Sequence, residues 1–457
     1  MKSAELNENI EDYSGTSKGF SMALKALLGS LAGVLIFFVP FSTSSDKSKI
    51  PLIIAIDFIK KMIGDNINYL TLGVIILLCV TWVLSKVSQN DFLKKYHAKD
   101  NNIIGFLFIL AGIFTFMLTF KLGPEWFLHK DVGGLALYLG GSVFLTVSIA
   151  GILVLLLTEF GFLEFVGTLL EPLMRPVYRL PGRSAVDAVA SFVAAPAVGI
   201  FITNKIYKNG YYTQRESASI ATNFSVCSLG FFALLTSIGG IMEYLPHMII
   251  SSFIISFIIA AIVTRIPPLS RKKDVYFDGR PQTEDERTPI PYDGKIFNRA
   301  FDAAVAKAST TRLDMLYKSF WDAITFAQKI VAYVISIATV SLVVATYTPL
   351  FDYLGAPFAP ILSLLQLPNA VEIAPAVLVS IAEIALPVII ISGGEVAAMS
   401  VFFICTLSTV QIIFFTESAN AMLEADIPLS LMDLIVIFII RTIVAIPLVA
   451  VATHIIF

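Results

Sequence analysis

The sequence predicts an all-α polytopic membrane protein, with about nine transmembrane helices plus two re-entrant hairpins in an inverted repeat. Three observations predict it. Of 457 residues, 56% are hydrophobic and 14% charged, against about 25% charged in soluble domains. The charges collect in a few loops and leave runs long enough to cross a hydrocarbon core of about 30 Å. These runs are apolar all round, unlike the one-sided helices of a soluble core. Finally, one segment recurs with the same residue types in the same order.

Spanning runs fall at about 20–42, 68–86, 103–121, 136–158, 216–238, 244–264, 323–347, 394–416 and 428–452. Trp82, Trp126 and Trp321 lie near their ends, where an amphipathic ring prefers the headgroup zone. The first run follows MKSAELNENIEDYSGTSKG, a polar, acidic stretch without the basic start of a cleaved signal, and so expected to stay in the cytoplasm. Lysine and arginine set the orientation. The loop KVSQNDFLKKYHAKD, the stretch around Arg175, Arg179 and Arg183, and the polar region 265–320 are all placed in the cytoplasm, as the span count between them allows.

Two apolar runs do not fit as simple spans. Ser184 to Ile206 has basic residues on both flanks, so a crossing would invert every later orientation; a hairpin broken near Pro196 keeps both flanks inside. Ala370 to Ser392 carries Glu372, Glu383, Pro375 and Pro387. Broken backbone at membrane depth is tolerated only where protein or a water-filled cavity satisfies it, so two such segments imply a cavity.

The stretch before each broken run is similar. LEFVGTLLEPLMRPVYRLPGR, Leu163 to Arg183, and FDYLGAPFAPILSLLQLPNA, Phe351 to Ala370, align with one gap. Glu164 pairs with Asp352, Phe165 with Tyr353, Gly167 with Gly355, Pro172 with Pro360, and Leu180-Pro181 with Leu367-Pro368. Three spans separate the copies, so the repeat is inverted in topology, an arrangement that places a binding site near the midplane between broken helices.

The LPGRS motif, the broken run and TNFSVCSLG resemble the nucleoside-recognition Gate domain of concentrative nucleoside transporters, the FeoB ferrous iron transporter and spore maturation proteins. In length and order the chain is similar to the YjiH family of inner-membrane proteins. The resemblance covers about residues 150–457. It implies a Gate-type fold without assigning a cargo, and the chain departs from FeoB in having no GxxxxGK[ST] nucleotide loop.

From Ile330 to Ile440 there is no lysine or arginine, while acids recur. Glu383 lies between Pro375 and Pro387 among apolar neighbours, and a carboxylate there must be protonated, paired or hydrated. Its role is either to take a proton or cation, or to tie two helices together. Asp187 is its counterpart in the first broken run, with capping or pairing to Arg183 as the structural alternative. Glu372 is read as an interfacial acid. Arg441 sits deep in the last span, with Glu383 or Glu395 as the expected partner of a gating or structural ion pair. Asn223 and Gln411 cannot easily satisfy their amides within their own helices. Ser184, Ser225, Thr406 and Ser408 add hydroxyls that a polar solute would need, although such groups often bond their own helix.

Other classes fit poorly. A net charge of −2 without a basic stripe argues against nucleic-acid binding. Cys79, Cys227 and Cys405 lack paired spacing, and His97, His129, His247 and His454 form no metal motif. No cofactor and no enzyme activity are expected. The organisation predicted is a polar N-terminus (1–19), a four-helix region (20–158), a first Gate repeat (159–264), a cytoplasmic loop and helix (265–320) and a second Gate repeat (321–457). The function expected is secondary transport of a small polar solute across a bacterial inner membrane, coupled to H+ or Na+. The resemblance favours a nucleoside or nucleobase, with peptide, amino acid or metal ion open. The rival is a scaffold or accessory subunit like the spore maturation proteins, with 265–320 as a docking arm. A homo-oligomer or a membrane partner subunit is left open.

Overall fold

A computed structural model describes residues 17–457 apart from 40, 43–47, 99, 194, 290, 312–313 and 393; the expected polar N-terminal stretch thus lies almost wholly outside the described residues. The regular structure of the described residues is helical, save for a two-residue antiparallel ladder of Phe41–Ser42 with Ser48–Lys49 and isolated bridges at Thr213–Tyr276 and Val275–Pro281. Among the described residues, seven helices are long and apolar enough to span a membrane: Ser21–Phe38, Ile67–Val87, Asn102–Thr119, Glu125–Thr158, Met242–Val263, Phe320–Tyr347 and Leu431–Ile456.

The runs 216–238 and 394–416, expected as continuous spans, are each interrupted. The first is Gln214–Phe224 followed by Leu229–Ile238. The second is Ala398–Gln411 followed by Ser418–Glu424. In the second break, side chains take over the missing helical bonds. Ser418 Oγ accepts from Phe414 N at 3.0 Å and donates to Ile412 O at 2.5 Å, while Asn420 Nδ2 donates to Phe415 O. Apolarity alone cannot register such substitution of side chain for backbone. A short helix, Pro51–Ile63, also escapes a hydropathy reading because Asp57, Lys60 and Lys61 interrupt it; it buries Leu52 and Ile56.

The hairpins form as expected. The first joins Ser184–Val193 to Pro196–Lys208, and the second joins the short helices up to Val379 to Leu386–Ser392. They enter from opposite ends of the molecule. At its start the second broken helix lies beside the base of the second hairpin, Ala397 N donating to Asn369 Oδ1 at 3.0 Å. Beyond its far end, Asp426 pairs with Lys208 at 3.1 Å and its amide donates to Asn204 Oδ1 at 2.8 Å, both at the base of the first hairpin.

The repeat runs through five elements: a span, a helix before the hairpin, the hairpin, a broken helix and a closing span. In the first copy the outer members are Glu125–Thr158 and Leu245–Val263; in the second they are Phe320–Tyr347 and Leu431–Ile456. The residues that carried the alignment have structural causes. A Cβ on Gly167 would lie 3.0 Å from Arg183 N, and one on Gly355 2.5 Å from Ala374 O. Each glycine therefore lets the preceding helix press against its hairpin. Before each Leu-Pro pair the chain turns through the left-handed region, at Arg179 (φ 58°) and Gln366 (φ 57°), which ends the helix and aims the chain into the hairpin.

The polar region 265–320 is folded back rather than free. Gln214 N donates to Val275 O at 2.9 Å, Arg215 pairs with Asp274 at 3.1 Å, and Lys272 pairs with Asp433 at 2.8 Å. Its helix Ile296–Ser309 turns Ala300, Ala304 and Ala308 inward.

Candidate functional site

The tips of both hairpins converge on the break in the second broken helix. At the first tip Ala195 is extended (φ −168°, ψ 153°), as a residue before proline tends to be, and Pro196 opens the second limb at a position where its missing N–H costs nothing. The amide of Ala197, exposed at that helix start, donates to Glu417 Oε1 at 3.0 Å; a carboxylate is the complement of a helix N-terminus. At the second tip, Glu383 lies in the turn between the limbs. Its Oε1 accepts from Ala385 N at 3.2 Å and its Oε2 accepts from Thr416 Oγ1. Phe415 N donates to Ile381 O at 2.8 Å. Thr416 and Glu417 thus stitch one break to two hairpins.

Glu383 and Glu417 are both buried, at 2% and 6% exposure. Among the described residues, neither belongs to an ion pair. The first break contributes buried Cys227, and Asn223 just before it is joined through Arg441 to the last turn before the second break. Two acids, a hydroxyl and two unwound segments therefore share one interior locus, a composition able to receive a cation, a proton or a polar solute.

Arg441 does not pair with Glu383 or Glu395. Its guanidinium, fully buried, donates to Asn223 Oδ1 at 2.6 Å, to Val410 O at 2.6 Å and to Gln411 O at 3.2 Å. The carbonyls belong to the last turn of Ala398–Gln411, where the break leaves them without helical donors and where the helix dipole is negative. Asn223 lies just before the other break. One side chain of the closing helix thus holds both broken helices, and a helix end stands where an acid was expected. Beside it, Gln411 accepts from Ser380 Oγ and donates to Val377 O at 2.8 Å and Thr442 Oγ1 at 2.7 Å. Its amide ties the second hairpin to the closing helix.

The remaining expected residues lie elsewhere or are occupied locally. Asp187 is buried near the base of the first hairpin, accepting from Tyr212 at 3.0 Å and Thr203 at 3.1 Å, with Oδ1 unpartnered. It is not joined to Glu383. Arg183 reaches Glu164 at 3.9 Å. Ser184 donates to Pro181 O at 2.6 Å and Ser408 to Ile404 O at 2.9 Å. Ser225 is buried in the first break, and Thr406 is buried with an unpartnered hydroxyl. Glu372 and Glu395 are exposed, so neither contributes to the interior site. Glu417 and Thr416 were the residues missed. The visible signal was alignment: Ser225–Ser228 after Asn223 matches the stretch after Gln411, so a break was due there too.

A cleft of about 830 Å³ opens at the end of the molecule where the first hairpin has its base. It reaches Phe201 on the second limb, and Lys205, Lys208, Lys307, Glu159 and Asp426 are among its walls. Its ion pairs bridge elements, Lys307 to Glu159 at 2.8 Å and Lys208 to Asp426 at 3.1 Å.

Residues 141–242 match the Gate family, described as nucleoside recognition; the match spans the first hairpin and the first broken helix. Over 444 residues the chain is 35% identical to an uncharacterized protein of Alkalihalophilus pseudofirmus, covering 95% of each. No solved structure matches the chain.

Proposed function

The chain belongs to the Gate-domain family of membrane proteins, and from that premise we propose that it is a secondary transporter of a small polar solute, coupled to protons or sodium by alternating access. One observation carries the reading: two hairpins entering from opposite ends meet at two buried carboxylates beside broken helices. Inverted repeats with broken helices at the midplane suit a carrier, because rocking one half against the other exposes the same locus to either side. The cleft at the base of the first hairpin is a natural entrance from one face. The family description favours a nucleoside or nucleobase as cargo, with peptide, amino acid or metal ion as the next classes. We place the lysine-rich end in the cytoplasm of a bacterium, by the excess of basic residues in those loops, and assign the chain no enzymatic step. The alternative is a scaffold or accessory subunit that docks through region 265–320.

The test is thermal unfolding of the purified chain against nucleosides, nucleobases, dipeptides, amino acids and metal ions, with and without sodium. A ligand at about 100 times its dissociation constant adds about 2.7 kcal/mol to folding stability. Glu383→Gln should leave the fold intact and abolish the shift. No shift with any class, or a shift unchanged in Glu383→Gln, refutes the reading.

A further inference from the structure

The first hairpin carries an acid that the hairpin-tip locus leaves out. Asp187, 1% exposed, lies on Ser184–Val193, and two hydroxyls meet its Oδ2, Tyr212 at 3.0 Å and Thr203 at 3.1 Å. Its Oδ1 has no partner, and among the described residues Asp187 belongs to no ion pair. Thr203 Oγ1 also stands 3.0 Å from Gly199 O, the usual bond of a hydroxyl to its own helix. Three contacts need three hydrogens, and the two hydroxyls supply one each. All three are hydrogen bonds only when the carboxyl carries the third on Oδ2 and donates it to Thr203, while Thr203 donates to Gly199 O. With that proton gone, Thr203 turns its own hydrogen to Oδ2. One hydroxyl rotation thus accommodates both states.

The surroundings leave the ionised form uncompensated. Arg183, one turn earlier, faces the Tyr211 ring at 4.6 Å and reaches Glu164 at 3.9 Å. On the helices packed against Ser184–Val193, the other charged groups are engaged away from Asp187. Glu171 and Glu216 share Arg175, Lys205 turns to Glu159, Lys208 to Asp426, Arg215 to Asp274 and Lys25 to Thr311 O. A buried carboxylate without a counter-charge is costly, and a neutral acid much less so. Asn204 and Tyr211, next in sequence to the two hydroxyl residues, line the cleft of about 830 Å³, so the group lies close to water at the lysine-rich end.

We propose that Asp187 is a proton-binding site, holding an exchangeable proton near the base of the first hairpin and loading it from the cleft. Its place in transport rests on the carrier reading: there it makes the proton the coupling ion and keeps that ion apart from the solute at the hairpin tips. An acid inside a membrane protein is costly and tends to be kept for such relays.

The experiment records the infrared carbonyl stretch of protonated carboxyls in the full chain, with isotope-labelled aspartate to separate aspartyl from glutamyl bands. Wild type should show an aspartyl acid band at about pH 6, some two units above the ordinary aspartate value near 4. The band should be absent in Asp187→Asn and should fade as the pH rises. Tyr212→Phe, which withdraws a donor from the ionised form, should move that fading to higher pH. The proposal is overturned if wild type lacks the band, or if Asp187→Asn keeps it. A band that persists unchanged to about pH 9 also overturns it, because a proton held so far above the ordinary value is a fixed structural one. Should Asp187→Asn fail to accumulate, the upward move in Tyr212→Phe assigns the band to Asp187, and an unmoved band refutes the assignment. A titrating band in a chain that no solute class stabilises supports the proton site and sinks the carrier reading; a solute-induced shift without the band does the reverse.

Discussion

Replacing Arg441 tests whether one side chain holds the two broken helices together. Arg441→Met keeps length and packing while removing all three donated bonds, to Asn223 Oδ1, Val410 O and Gln411 O. Each buried acceptor left unpaired costs about 1–3 kcal/mol. Against this, the variant no longer holds a desolvated cation, which returns part of a several-kcal/mol penalty. Bonds inside membrane proteins are also weaker than burial suggests, averaging about 0.6 kcal/mol by mutant cycles. The balance is a net loss of about 2–4 kcal/mol for Arg441→Met. Arg441→Lys should lose less, because it keeps the charge but cannot present a planar fork to three acceptors.

The discriminating variant is Asn223→Leu in the Arg441→Met background. It removes the orphaned carbonyl at the first break, so it should restore about 1 kcal/mol, whereas Asn223→Leu alone should destabilise by orphaning the guanidinium. The assay is unfolding by SDS titration in mixed micelles for wild type, both single variants and the double. Purely additive losses, with coupling below about 0.5 kcal/mol, would mean that the breaks are held independently, and the reasoning fails.

Two further outcomes follow from the fold. Gly355→Ala should cost about 1–3 kcal/mol and more than Gly167→Ala, because its Cβ meets backbone at 2.5 Å rather than 3.0 Å; equal melting of both variants and wild type would refute the close-approach account. Asp100 is buried, which alone raises its pKa, yet the His97 bond and the Lys329 pair hold it below the usual carboxylate value. Stability from a depressed carboxylate is present above its unfolded value near 4 and is lost as pH falls through the folded value. Melting followed from pH 7 downward should therefore fall more gently on the acid side in Asp100→Asn than in wild type, and parallel curves would contradict the assignment.

The hairpins were legible because two rules met on them: basic flanks forbade a crossing at Ser184 to Ile206, and prolines broke Ala370 to Ser392. The repeat was legible because Gly167 and Gly355, and Leu180-Pro181 and Leu367-Pro368, are fixed by close approach and chain direction. The breaks were not. Ser225–Ser228 and Ile412–Glu417 are too short to lower the hydropathy of their runs, and what sustains the second is tertiary: Ser418, Asn420 and Arg441 supply bonds from other turns. For the same reason Arg441 was matched with an acid, since a sequence shows formal charges and hides the partial charge of an interrupted helix. Glu417 was overlooked because a polar neighbourhood, Thr416 to Asn420, reads as a solvated turn, yet all five residues are buried.

The repeat is symmetric in fold and asymmetric in chemistry, and the asymmetry favours a site over a strut. Asn223 and Gln411 occupy corresponding places before the two breaks, but only the second break contains a carboxylate, and only the second hairpin carries an acid at its tip. Structural stitching alone would have been served by neutral pairs in both copies, as Gln411 with Ser380 and Thr442 demonstrates within the same layer. Burying two carboxylates that, among the described residues, belong to no ion pair costs stability. Ile412, a β-branched residue held at φ 67° beside them, adds backbone strain that such residues rarely carry outside functional positions. Both costs fall at the junction of two hairpins inserted from opposite ends. A packed scaffold gains nothing from them there, whereas a carrier needs a locus that is unstable when empty and relieved by a bound ion or solute.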